Sequence, residues 1–340
     1  MRETLTILWD STKLLRARKL FWIVVGISLF VGLIYASIGF NDEGVSFGFG
    51  LKKFENPLIA KGSGGAQMFY LLLFTNFIVS HWLGFIAVLL ALVTSCSVFP
   101  ELMKEGSIET VVSKPVSRWK IFYVKYLGML GFMALPLAMF CTIVFVAMGL
   151  RVGVWKPEIF WAVPLLTFVF SILYSFAVLI GVWTKSTLFA LLSTMLLWGL
   201  CFLIHSGEVM IYNLGILPAQ AGLKIDARSG EVTETGEERE PDEGVAKVYQ
   251  GYRKATLIVP KPRKSTLLLE KLLVFTDELG PLAGKSLMGL AMGIPEEGLG
   301  QAAQAKAQNR MSVAEVLVPS ALFQIICLAW AGWMFSRRDF

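Results

Sequence analysis

The sequence predicts an all-α polytopic membrane protein with six transmembrane helices, an N-terminal interfacial helix and a small mixed exported domain between spans five and six. Three observations predict it. Only 16% of the 340 residues are charged while 55% are hydrophobic, and the mean hydropathy is +0.64; a soluble domain of this length needs more charge to cover its surface. The apolar residues gather in runs of about 20, the number of helical residues that crosses a hydrocarbon core of roughly 30 Å. The basic residues collect in alternate connections between those runs.

Residues 1–19 form an amphipathic segment. Leu5, Leu8, Trp9, Thr12 and Leu15 fall at i, i+3, i+4 spacing, with Asp10, Lys13 and Arg16 between them. This suits a helix lying in the membrane interface, anchored by Trp9, Arg16, Arg18 and Lys19; the alternative is an ordinary soluble amphipathic turn. The spans follow at Leu20–Phe40, Leu71–Phe99, Ile121–Leu150, Ile159–Trp183, Thr187–Ile204 and Val316–Phe335. The apolar core of the first is longer than the roughly 7–15 residues of a secretory signal, and no small-x-small cleavage site closes it, so it reads as a retained span. The second and third runs exceed what a perpendicular helix needs and must tilt, break or extend into an interface.

Counting basic residues in short connections puts both termini on the cytoplasmic side. That side receives Arg2, Lys13, Arg16, Arg18, Lys19, Lys104, Lys114, Arg118, Lys120, Lys125, Lys185, Arg337 and Arg338. The other side holds Lys52, Lys53, Lys61, Arg151 and Lys156, diluted by Asp42, Glu43, Glu55 and Glu158. A net charge of +6 therefore describes topology and gives no sign of nucleic acid as a partner.

Residues 20–204 hold spans one to five with a cytoplasmic loop at 100–120, residues 205–312 are exported, and 313–340 carry the last span and a cytoplasmic tail. The exported segment reads as too polar to be embedded. Asp226–Gly244 is acidic and rich in turn formers, with a hairpin centred on Ser229–Gly230. Ser265–Gly280, "STLLLEKLLVFTDELG", reads as an amphipathic helix with Ser265 as N-cap and Gly280 as its stop. Gln301–Met311 has high helix propensity and leads toward the last span.

Chemistry-bearing motifs are few. "LGPLAGKS" (Leu279–Ser286) ends like a phosphate-binding loop, but three residues separate Gly280 from Gly284 where the motif needs four, and Pro281 removes a backbone donor. His81 and His205 sit near outer boundaries and read as solvated interface residues. Cys96, Cys141, Cys201 and Cys327 lie inside spans without C-x-x-C spacing, which fits small core residues and points to no metal. The span interiors show essentially no ionisable side chain, hence no proton relay or ion site. No catalytic constellation and no cofactor are expected, and the chain does not read as an enzyme.

The informative stretch is Glu105–Lys120, "EGSIETVVSKPVSRWK", the only substantial internal cytoplasmic loop; Thr184–Ser186 is a bare turn. Ile108, Val111 and Val112 form an apolar face, Glu101, Glu105 and Glu109 repeat at i+4 on another, Gly106 is a joint and Pro115 a stop. A short charged helix between two spans makes a lever that offers an apolar ridge and carboxylates to a soluble partner. Extended to Gly128, "EGSIETVVSKPVSRWKIFYVKYLG" resembles the signature loop of ABC-2-type transporter permeases. The family's G-K position reads Val124-Lys125 here. The basic "LRARKLFW" (Leu15–Trp22), the six spans and the "RRDF" tail agree, and the likeness covers Met1–Ser206 and the last span.

The resemblance implies a non-catalytic permease subunit of an ATP-driven transporter, an exporter. Two ATPase copies, which bind the ATP, and a second permease copy or paralogue are its partners. Glu105, Gly106, Glu109, Lys114, Pro115 and Arg118 then form a coupling helix docked on the ATPase; the alternative for each is a solvated face, or a lipid-headgroup anchor for Lys114 and Arg118. Some relatives do mechanical work on a partner, so a scaffold that drives a periplasmic protein through 205–312 stands as the second reading. The substrate-binding residues are unknown at this level.

Overall fold

A computed structural model describes residues 19–56, 59–103, 117–216, 223–225, 232–234, 242–256, 259–273 and 313–337. The chain is mostly helical, and five of the described helices are long and apolar enough to cross a membrane. In chain order the elements are α1 (Lys19–Ala36), strands β1 (Gly39–Asn41), β2 (Gly44–Phe47) and β3 (Lys52–Glu55), then α2 (Gly64–Leu102), α3 (Arg118–Val152), α4 (Pro157–Thr184) and α5 (Thr187–Ile211). Strands β4 (Leu223–Ile225) and β5 (Val232–Glu234), helices α6 (Glu243–Ala255) and α7 (Pro262–Leu273), and finally α8 (Val313–Arg337) follow. The ends of the helices nearest the β1–β3 sheet are called upper below, and the ends at Leu102, Arg118, the Lys185–Ser186 turn and Arg337 lower.

The five long helices are α2, α3, α4, α5 and α8. The two overlong apolar runs resolve differently. α3 is one unbroken helix of 35 residues with Pro136 inside it. Its Ser117 side chain caps the first turn by accepting from the Lys120 N–H, and Gly153 in the left-handed region (φ 78°) ends it. α2 instead changes its winding, from α (Gly64–Leu72) to a π-helical stretch (Leu73–Ala87) and back to α (Val88–Ser95). A wider helix of that kind spreads a long apolar run without lengthening it in proportion.

α4 is the central element. It packs on α3, α5, α7 and α8, and its Leu166, Phe170, Ile172, Leu173 and Tyr174 are completely buried. α5 and α8 instead expose ridges of Leu192, Leu196, Leu200 and Leu203, and of Leu322, Ile325 and Ile326, to the outside of the bundle. Such apolar ridges suit contact with lipid chains.

Several boundaries differ from the sequence reading. The first helix ends at Ala36, and Phe40 lies in a three-stranded antiparallel sheet, β1-β2-β3, paired Phe40↔Val45 and Val45↔Phe54. The strands are only three or four residues long, too short for alternation to give a sequence signal. Phe40 and Val45 seat the sheet on the bundle, Phe40 edge-on to Tyr70 at 5.7 Å. Tyr35 and Tyr70 then exchange hydrogen bonds, each hydroxyl donating to the other's carbonyl at 2.9 and 3.1 Å, and tie α1 to α2.

The fifth span runs to Ile211 rather than Ile204. The hairpin expected about Ser229–Gly230 is present in its strands, with Ile225↔Val232 as the innermost pair. Ser265 is no N-cap, since α7 begins three residues earlier at Pro262. Proline at a helix's first position gives up no intrahelical bond, and Ser265 is buried with its hydroxyl donating to Lys261 O at 3.0 Å.

The 205–312 segment leans on the spans through α7, which packs among α2, α4, α5 and α8. A Cβ built on Gly84 of α2 would come within 3.3 Å of the Thr266 methyl, and Leu268 is buried.

Candidate functional site, a cationic cleft at the upper end of the bundle

Ala190, Thr194, Cys201, His205 and Glu208 are the buried residues of α5 and fall along one helical face. That face continues past the apolar run, which is why the helix does. Its last turns meet the connection between α6 and α7. Glu208 and Lys264 form an ion pair with Oε1 and Nζ 2.5 Å apart, at side-chain exposures of 9% and 13%. An ionised pair this buried persists only when both members are present.

Around the pair the connection is pinned at several points. The Lys261 N–H donates to the Ser320 hydroxyl of α8 at 3.0 Å, and that hydroxyl donates to Val316 O at 3.0 Å. Tyr252 of α6 donates to Ile204 O at 2.7 Å, while Arg253 pairs with Glu315 at 2.8 Å in an exposed position. Prolines 260 and 262 bracket Lys261 and hold its backbone extended. Arg263 lies over the Phe202 ring, 5.0 Å from its centroid.

These contacts enclose a small cleft lined by Trp198, Cys201, Phe202, His205, Glu208, Thr256 and the Val259–Lys264 segment, with about 30 Å³ for the centres of water-sized molecules. Lys261, Arg263 and Lys264 line it against the single carboxylate of Glu208. Burial, and then the neighbouring Lys264 charge, hold the Lys261 ammonium below the usual lysine range. Burial raises the Tyr249 phenol, and the Glu208 carboxylate raises it further. His205 lines the cleft, is nine-tenths buried, and its Nδ1 has no hydrogen-bond partner. The sequence reading of His205 as a solvated boundary residue is therefore corrected, since the residue is buried. Glu208 is buried within α5, and Lys125 is buried within α3. The spacing Cys201, His205, Glu208, followed by "PKPRK" (Pro260–Lys264), was the available signal; nothing local joins two segments more than fifty residues apart.

The residues that the sequence singled out lie elsewhere. Glu105, Gly106, Glu109, Lys114 and Pro115 fall outside the described residues, as do Trp9, Arg16 and Arg18; Lys19 opens α1. Arg118 is described. It begins α3, and its guanidinium donates to Ser336 O in the last turn of α8 at 3.2 Å, where the exposed carbonyls of a helix end favour a cation. Trp119 lies against Gly332, and Phe122 meets Phe99 of α2 at 5.0 Å and Phe335 of α8 at 5.8 Å. Pro100 touches the Cα side of Gly181 in α4. The two ends of the 104–116 link thus enter one aromatic knot shared by four helices.

Between these two regions, Tyr126, Tyr174 and Phe170 form a stack, with ring centroids 5.4 and 5.2 Å apart. Tyr126 donates to Ser171 O at 3.0 Å and receives the Gln324 amide at 3.4 Å. All four cysteines are buried and unbridged, and among the described residues no group of His, Cys, Asp and Glu is placed to hold a metal ion. His81 is exposed and lies against Phe77.

Comparison of the chain with family models, with curated proteins and with solved structures returned no match. The class that the fold defines is accordingly a membrane-embedded helical protein with five described helices able to span.

Proposed function

We propose that this chain is the permease subunit of an ATP-driven ABC-2-type exporter in a bacterial inner membrane, with both termini cytoplasmic. In this reading α1 is the sixth span, a helix of 18 residues and so just long enough to cross a core of about 30 Å. The single observation that carries the proposal is the Glu105–Gly128 signature, set between two long apolar helices. Its surroundings support a lever. The link leaves α2 just beyond Phe99 and Pro100 and enters α3 just before Arg118, Trp119 and Phe122. A partner that displaced it would push on α2, α3, α4 and α8 together, since interlocked aromatic side chains transmit displacement rather than absorb it.

The test is charge reversal at Glu105→Lys and Glu109→Lys. The pair of substitutions is expected to abolish co-purification of a nucleotide-hydrolysing subunit while the chain still inserts in the membrane. Undiminished pull-down by the double variant refutes the coupling role.

One observation favours the second reading, a scaffold that drives a periplasmic protein without moving a solute. α7 of the 205–312 segment sits against α2, α4, α5 and α8, so motion of the spans reaches the segment directly. Nucleotide hydrolysis stimulated by a small amphiphile favours transport; stimulation only by a periplasmic protein favours the scaffold.

A further inference from the structure

We propose that the cleft between α5 and the Val259–Lys264 segment binds the phosphate head of an anionic lipid. Its rim carries three cations and one carboxylate, and that carboxylate, Glu208, is already taken by Lys264. Two cationic heads then remain for a ligand. Lys261 Nζ makes one long contact, to Glu315 O at 3.5 Å, and the Glu315 carboxylate is held by Arg253. Arg263 rests over the Phe202 ring; a guanidinium stacked on an aromatic ring keeps its in-plane N–H donors for a phosphate oxygen.

A second and independent observation points to a ligand. His205 is nine-tenths buried, lines the cleft, and leaves Nδ1 without a partner. Buried polar atoms are almost always satisfied, because leaving one unmade forfeits its hydration for nothing. A polar head seated beside His205 supplies that missing partner.

The surroundings favour a lipid over a free anion. His205 stands about 27 Å up α5 from Thr187 at about 1.5 Å per residue, close to the headgroup level of a core roughly 30 Å thick. Below the cations the wall is apolar, formed by Trp198, Cys201 and Phe202, with Trp198 braced on Phe85 at 5.0 Å. The cleft opens beside the exposed ridge of Leu200, Phe202 and Leu203. Free phosphate gains only the cations there, whereas an amphiphile also covers the ridge with its chains. The cleft, with room for the centres of water-sized molecules, seats head oxygens and leaves the chains on the open face.

The inference does not depend on the coupling reading, and loss or survival of the ATPase pull-down leaves it untouched. It is tested on the purified full chain in detergent micelles, titrated with phosphatidylglycerol or phosphatidylcholine and read by native mass spectrometry. Wild type is expected to retain phosphatidylglycerol about tenfold more tightly, the size of one charge-assisted bond. Lys261→Ala with Arg263→Ala is expected to erase that preference, while Lys156→Ala, which removes an upper-face cation outside the cleft, keeps it. Equal retention of the two lipids, or a preference that survives the double variant, overturns the proposal. Excess inorganic phosphate is expected to leave the lipid bound; displacement assigns the site to a soluble anion and overturns the lipid assignment. Should the double variant elute as aggregate, Arg263→Gln and the selectivity of wild type decide the matter.

Discussion

The two ends of the bundle are built on opposite principles. At the lower end Phe99, Phe122 and Phe335 interlock, Trp119 lies against Gly332, and one guanidinium, that of Arg118, caps the end of α8. At the upper end a buried ion pair, two hydroxyl contacts and a small cleft join α5, α6, α7 and α8. Dispersion between close-packed rings is short-ranged, so the lower knot moves as one piece or not at all. Polar contacts exchange readily with water or a ligand's head, so the upper end can reorganise without losing its partners.

The comparison breaks most decisively at Glu208. Glu208→Ala strands the Lys264 ammonium among apolar walls and is expected to cost about 3–5 kcal/mol, read as a lowered midpoint in denaturant unfolding in micelles. Glu208→Gln combined with Lys264→Met should recover most of that loss. If the single variant unfolds like wild type, the pair is solvated and the upper end is not buried as described.

Gly332 tests the lower knot. A Cβ there would come 2.5 Å from the Trp119 ring, so Gly332→Leu drives the indole outward at roughly 1–3 kcal/mol, the usual range for overpacking. A thermal midpoint that falls together with a red-shifted tryptophan emission is the expected signature. An unchanged midpoint means that the knot yields, and the rigid-end picture goes with it.

Smaller effects follow at the latch. Tyr252→Phe removes the bond to Ile204 O and should cost about 1 kcal/mol, with faster amide exchange confined to Glu243–Ala255. Arg253→Ala is expected to shift stability by less than about 1 kcal/mol, because its pair with Glu315 is 47% and 59% exposed and such pairs are screened. High salt should erase even that difference; a large effect would place the pair in a drier site.

Much of the frame was legible in the sequence. Runs of apolar residues located α2, α3, α4, α5 and α8, though α2 begins and α5 ends seven residues beyond the run, since a helix in hydrocarbon must satisfy its own backbone and needs no neighbour to exist. The pairing of β4 with β5 was legible for a similar reason: the turn formers between them act locally. The strands at 39–55 were not, because their pairing depends on seating against Phe69 and Tyr70.

The sequence by itself determined which segments are apolar, which connections are basic, and where a polar link interrupts two spans. Those are additive, local properties, and solvent transfer decides them residue by residue. Only the tertiary structure decided that Glu208 meets Lys264, that α7 lies among the spans, and that Arg118 turns inward to Ser336. Each depends on which helix faces come together, and no span encodes the identity of its neighbour in its own hydropathy.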